Sequence, residues 1–79
     1  MNHPQADKKL LYTIQVGAFA SAKSAADLYT KLSDMGYFVF FKNDALAKVC
    51  VGKFATQAEA QKTADDLKKK GFGGFVTIL

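Results

Sequence analysis

The side chains able to do chemistry in this chain are scattered, and their types point to recognition rather than turnover. Cys50 is the only cysteine and His3 the only histidine, and His3 lies in a polar leader. One of each cannot close a disulfide or complete a zinc site. Asp65 and Asp66 are adjacent in a helical stretch, where immediate neighbours do not face each other, so they form no carboxylate dyad. No nucleophile has a base at useful spacing, and no catalytic residue, metal ligand or cofactor motif is expected. The remaining groups suit contact instead. Thr13 and Gln15 offer hydrogen bonds, Phe38 and Phe40 flat apolar surfaces, Leu46 a smaller one, and Lys48 a cation.

Those residues are positioned by a unit that occurs twice. Val16-Gly17-Ala18-Phe19-Ala20-Ser21 returns as Val51-Gly52-Lys53-Phe54-Ala55-Thr56, an offset of 35 residues. The offset carries on: Ala25 meets Ala60, Leu32 meets Leu67, Gly36 meets Gly71 and Tyr37 meets Phe72. A constant, gapless offset marks two copies of one supersecondary unit.

Each copy reads as strand, helix, strand. Residues 11–16 alternate, with Tyr12, Ile14 and Val16 on one side, and Gly17 is expected to break the strand. Ser21 is placed to cap a helix starting at Ala22, and Ala25, Leu28, Tyr29 and Leu32 form its apolar stripe. Gly36 ends it, Tyr37–Lys42 is aromatic and β-branched and predicts a second strand, and Asn43-Asp44 predicts the turn. In the second copy Ala47, Val49 and Val51 supply the inner side of a strand. Thr56-Gln57-Ala58-Glu59 spells a capping box, and Ala60, Ala64 and Leu67 repeat the stripe. Lys68, Lys69 and Lys70 suit the negative end of the helix dipole, and Phe72–Leu79 predicts the last strand.

The expected fold is therefore α+β: two βαβ repeats (βαββαβ) forming a four-stranded antiparallel sheet with two helices on one face, ferredoxin/RNP-like. Residues 1–10 read as a linker or flexible leader and 11–79 as the domain. The leader lacks the apolar core of a signal peptide, so a segment of a longer protein is expected. No apolar run approaches the ~20 residues of a membrane span. All 11 basic residues are lysine and the net charge is +4. Without arginine, the bidentate fork favoured in phosphate and base recognition is missing.

With the helices on one side, the other side of the sheet is open. Thr13, Gln15, Leu46, Lys48, Cys50, Phe38 and Phe40 fall there by alternation. The last strand is ambiguous around Gly73-Gly74, and either Phe75 and Thr77 or Val76 and Ile78 face out. Such a face resembles a ligand platform more than a solvated surface. The plainer alternatives are that the phenylalanines tuck under the leader or a loop, that Gln15 and Lys48 are ordinary surface residues, and that Cys50 merely packs.

The residues also match a family. Tyr12-Thr13-Ile14-Gln15-Val16-Gly17-Ala18-Phe19, the Gly36-Tyr37 pair, Val51-Gly52-Lys53-Phe54 and Gly71-Phe72-Gly73-Gly74-Phe75-Val76 resemble SPOR (sporulation-related repeat) domains. The likeness is greatest to the wall-binding repeats of sporulation-associated N-acetylmuramoyl-L-alanine amidases. The resemblance implies a non-catalytic module that binds peptidoglycan, with a preference for glycan strands freed of stem peptides. It would tether an amidase domain to the wall, in an extracytoplasmic setting such as a septal or mother-cell wall. It implies that the ligand lies along the open face. Gln15 takes the place of the family's first-strand glutamine, and Ala18 that of a serine three residues on. Leu46 stands where a large aromatic is common, Lys48 where a basic residue follows, and Val76 where the last strand adds an apolar contact.

Two rivals use the same sheet. An RNA recognition motif needs stacking rings on its third strand, where Cys50 and Val51 stand, so no nucleic-acid partner is expected. A structural dimer would pair through the edge or the aromatic patch; a monomeric binder is expected instead.

Overall fold

Alternating strands and two amphipathic helices leave one economical arrangement, and the chain adopts it. The computed structural model describes residues 11–79. The elements run β1 (Tyr12–Phe19), α1 (Ala22–Asp34), β2 (Val39–Asn43), β3 (Ala47–Phe54), α2 (Gln57–Lys69) and β4 (Phe75–Ile78). All pairings are antiparallel, and the strand order is β2-β3-β1-β4. The two long strands of the repeats thus sit side by side in the centre, and the two short ones form the edges. The expected leader, residues 1–10, lies outside the described residues.

The helix ends follow from local chemistry. Ser21 Oγ accepts from the Ser24 N–H, and Thr56 and Glu59 form the full reciprocal capping box. At the other ends, the Tyr37 N–H reaches the Leu32 carbonyl and Gly36 reaches Ser33; Phe72 reaches Leu67 and Gly71 reaches Lys68. Both helices therefore close on the same Schellman motif. The residues after each glycine, Tyr37 and Phe72, are half-buried and pack against the core.

That core lies between the helices and one sheet face. Ile14, Leu32, Val49, Val51 and Leu67 are fully or almost fully buried there, with Ala25, Val39 and Ala64. Val16, Phe19, Leu28, Tyr29, Phe54 and Val76 pack around them. Phe41, also on this face, stacks on Tyr29 with ring centroids 4.9 Å apart. Truncating a buried leucine in such a core costs about 2–5 kcal/mol, a large share of what a domain this small has.

Several boundaries differ from the sequence reading. Gly17 does not end β1. The register instead slips between Gln15 and Gly17, where β1 carries one extra residue, and pairing resumes as Ala18 with Lys48 and Phe19 with Ala47. This bulge turns Phe19 into the core and brings Ala18 to the open face, the reverse of strict alternation. A matching slip lies in β3 between Val51 and Phe54. In each copy a phenylalanine ring closes over the glycine two residues before it: a Cβ on Gly17 would meet the Phe19 ring at 2.7 Å, and one on Gly52 the Phe54 ring at 2.5 Å. β2 starts at Val39, because Tyr37 still belongs to the helix cap. β4 starts at Phe75, because Phe72 does likewise.

Candidate functional site

The face away from the helices is built from cross-strand rows. Phe40 of β2 pairs with Cys50 of β3, Cys50 with Gln15 of β1, and Gln15 with Phe75 of β4. One row thus crosses the whole sheet, with phenylalanines at its ends and a cysteine and an amide in its middle. With strands ~4.8 Å apart, its ends are about 14 Å from each other. On one side of this row stand Lys42, Lys48 and Ala18; on the other, Thr13 pairs with Thr77.

The β4 register settles the ambiguity at Gly73-Gly74. Val76 pairs with Ile14 and packs against the core, so it lies on the helix face and not with the other candidates. Phe75, 56% exposed, faces the open side in its place. Gly74 lets the chain close on β1: a Cβ there would meet the Gln15 carbonyl at 2.8 Å. The residues left Phe75 and Val76 as alternatives for this face, although a signal to choose between them existed. The 35-residue offset carries Phe40 onto Phe75 and Phe41 onto Val76, and Phe40 faces out.

Thr13 is also corrected. It is fully buried, and its Oγ1 donates to the Val51 carbonyl at 3.1 Å, beside the β3 bulge. The hydroxyl is spent on that backbone acceptor, so Thr13 supports the sheet rather than touching a ligand. Leu46 precedes β3 and belongs to the β2–β3 turn, where it is 39% exposed at the rim. Gln15 is half-buried, Ala18 exposed and Lys48 half-buried, all on the open side.

The aromatic end of the face is a cluster. The Phe38 and Phe40 rings lie 5.7 Å apart, and Lys53 Nζ stands 5.6 Å and 5.7 Å from their centroids. Such a distance allows a cation–π attraction. Lys53 was not anticipated as part of the face; it comes there only because the β3 bulge changes the alternation. Phe38 is 58% exposed, so these rings remain open to contact.

Lys48 is engaged. Its Nζ lies 3.0 Å from Asp44 Oδ2, and Asp44 Oδ1 accepts from the Leu46 N–H at 3.4 Å. The hydrogen bond from Lys48, and then that from Leu46, hold the Asp44 carboxyl below the usual carboxylate range. Cys50 is buried, and burial pushes its thiol up against the opposing pull of Lys42 and Lys48. A thiol so placed is a packing group, not a nucleophile. Cys50 and Val51 are both buried at the middle of β3, where an RNA-binding sheet would need exposed rings.

A split βαβ sheet with one face covered and the other carrying rings, an amide and lysines defines a small surface-binding module rather than an enzyme cleft. Over residues 11–78 the chain matches the SPOR domain, and it belongs to that family. Among solved structures it is similar to the solution structure of the peptidoglycan-binding domain of the B. subtilis cell wall lytic enzyme CwlC. The TM-score is 0.80 and the identity 29%, over 91% of this chain and 92% of that one. No curated protein sequence matches the chain.

Proposed function

We propose that this domain is a non-catalytic peptidoglycan-binding module that holds an attached cell-wall hydrolase, an N-acetylmuramoyl-L-alanine amidase, against the wall outside the cytoplasm. The observation that carries the reading is the row Phe40–Cys50–Gln15–Phe75 on the face of a SPOR fold away from its helices. Sugars offer apolar C–H faces and hydroxyl edges. Rings at both ends of the row suit the first, and the Gln15 amide, which donates and accepts, suits the second. The similarity to the CwlC domain, named for peptidoglycan binding, supports the same partner.

In this reading the glycan lies across the sheet over Gln15, flanked by Phe40 and Phe75, with Ala18, Leu46 and Phe38 at its margins. Removing stem peptides bares the lactyl carboxylate of each muramic acid, and Lys48 meets such a carboxylate, favouring peptide-free strands. The domain acts as a monomer and raises the local concentration of its catalytic partner at the wall. Chemical-shift mapping with a peptide-free glycan fragment tests the reading. Perturbations are expected at Gln15, Phe40, Phe75 and Lys48; perturbations confined to the helix face would overturn it.

A further inference from the structure

The lysine-bearing part of the open face holds an arrangement with its own logic. Lys42 of β2 and Lys48 of β3 are direct cross-strand partners, and Ala18 of β1 lies beyond Lys48. Like charges placed directly opposite each other destabilise a strand pair. Both charges act on one spot, since Cys50, the next residue along this face, feels each of them. Among the described residues, only one of the two is compensated. Lys48 is held by Asp44 at 3.0 Å, and among the described residues no carboxylate lies within ion-pair distance of Lys42. Among the described residues, two cations and one anion leave a single net positive charge on this side of the row that carries Gln15, while Lys53 stands on the other side by Phe38 and Phe40.

We propose that Lys42 and Lys48 form a two-cation seat for one carboxylate of the ligand, and that Asp44 is its internal competitor, occupying Lys48 until the ligand carboxylate arrives. The inference rests on the proposed glycan-binding reading of this face. The occupant is a glycan strand whose lactyl carboxylates are free. A net charge of one suits a ligand with a single carboxylate per muramic acid, whereas a dense phosphodiester calls for many cations. The Asp44 side chain is 55% exposed, so its pair with Lys48 is of the weak, solvent-screened kind that a ligand group can replace. The small side chain of Ala18 leaves the β1 end of this row low enough for a sugar to pass over it. Asp44 also anchors the turn through the Leu46 N–H, which keeps the competitor fixed at the rim rather than over the row.

The test is titration calorimetry at low salt with peptide-free glycan fragments in two forms, one with native lactyl carboxylates and one with those carboxyls reduced to alcohols. The intact domain should bind the carboxylate form more tightly. Lys42→Ala should lose about two- to five-fold in affinity for the carboxylate form and nothing for the reduced form. Asp44→Asn, which keeps the turn acceptor, should gain by a similar two- to five-fold factor, again for the carboxylate form alone. Unchanged affinity in both variants, or equal changes for both glycans, would overturn the seat while leaving glycan binding intact. Failure of the intact domain to bind either glycan would overturn the glycan reading, and the seat with it.

Discussion

Phe40 and Phe75 stand at the two ends of one row across the sheet, and they are the same position in the two copies of the repeat, 35 residues apart. Between them Gln15 and Cys50, also 35 residues apart, pair directly with each other. The pseudo-twofold axis of the domain therefore passes between Gln15 and Cys50. The rings are symmetric about it and the polar group is not. In the proposed reading, a glycan chain, which has a direction, would meet one amide off-centre in this row and so lie one way round.

Gln15→Ala should weaken binding to amidase-treated wall by roughly two- to ten-fold, the worth of a hydrogen bond or two. The melting temperature should hold, because Gln15 is only half-buried and outside the core cluster. Undiminished pull-down with the variant would remove Gln15 from the site.

Phe75→Ala and Val76→Ala should separate binding from folding. The first removes an exposed ring from the row and should reduce wall binding with little change in stability. The second removes apolar contacts from the helix face and should cost about 1–2 kcal/mol in a denaturant titration. The opposite pattern would mean that β4 pairs one residue out of register.

Thr13→Val should destabilise the domain although valine has nearly the same shape. The Val51 carbonyl would lose the Thr13 hydroxyl, a buried hydrogen bond worth about 0.5–1.5 kcal/mol. An unchanged urea midpoint would show that the hydrogen bond contributes nothing.

Gly17→Ala and Gly52→Ala should differ. Both put a Cβ against a phenylalanine ring, an overpacking worth about 1–3 kcal/mol. Gly52 also has φ +74°, so its substitution adds backbone strain of about 1–2 kcal/mol. Equal melting temperatures for the two variants would contradict the difference in backbone.

Asp44 should titrate below the ordinary carboxylate range in a carbon-detected NMR pH series, and Lys48→Ala should move its midpoint up. The sign follows from a folded-state pKa lying below the unfolded one. The Asp44 contribution is present above the unfolded pKa and is lost as pH falls through the folded value. A midpoint indifferent to Lys48→Ala would deny that the ion pair persists in solution.

Much of the architecture was legible in the residues. The gapless offset, the stripes Ala25–Leu32 and Ala60–Leu67, and the caps at Ser21 and Thr56 all act within one turn or one strand, where local chemistry decides. The candidate site was less legible. Gln15, Phe38, Phe40, Ala18 and Lys48 do gather on or around one face, whereas Thr13 is consumed by the backbone and Val76 points the other way. For β4 two phases stood open and the structure chose Phe75; Lys53 joined the face unannounced, and the Asp44 partner of Lys48 was not foreseen.

The physical reason is the two-residue period of a strand. A slip of one residue moves a whole set of side chains to the opposite face, and only pairing between strands fixes it. Bulges do this within β1 and β3, sending Phe19 inward and Ala18 outward. Before β4 stand Gly73 and Gly74, which have no side chains to declare a phase, so the partnership with β1 decides that Phe75 looks out. The sequence by itself determined the elements, their duplication and the buried stripes. The tertiary structure decided which residues share the open face, because that depends on register across strands distant in the chain.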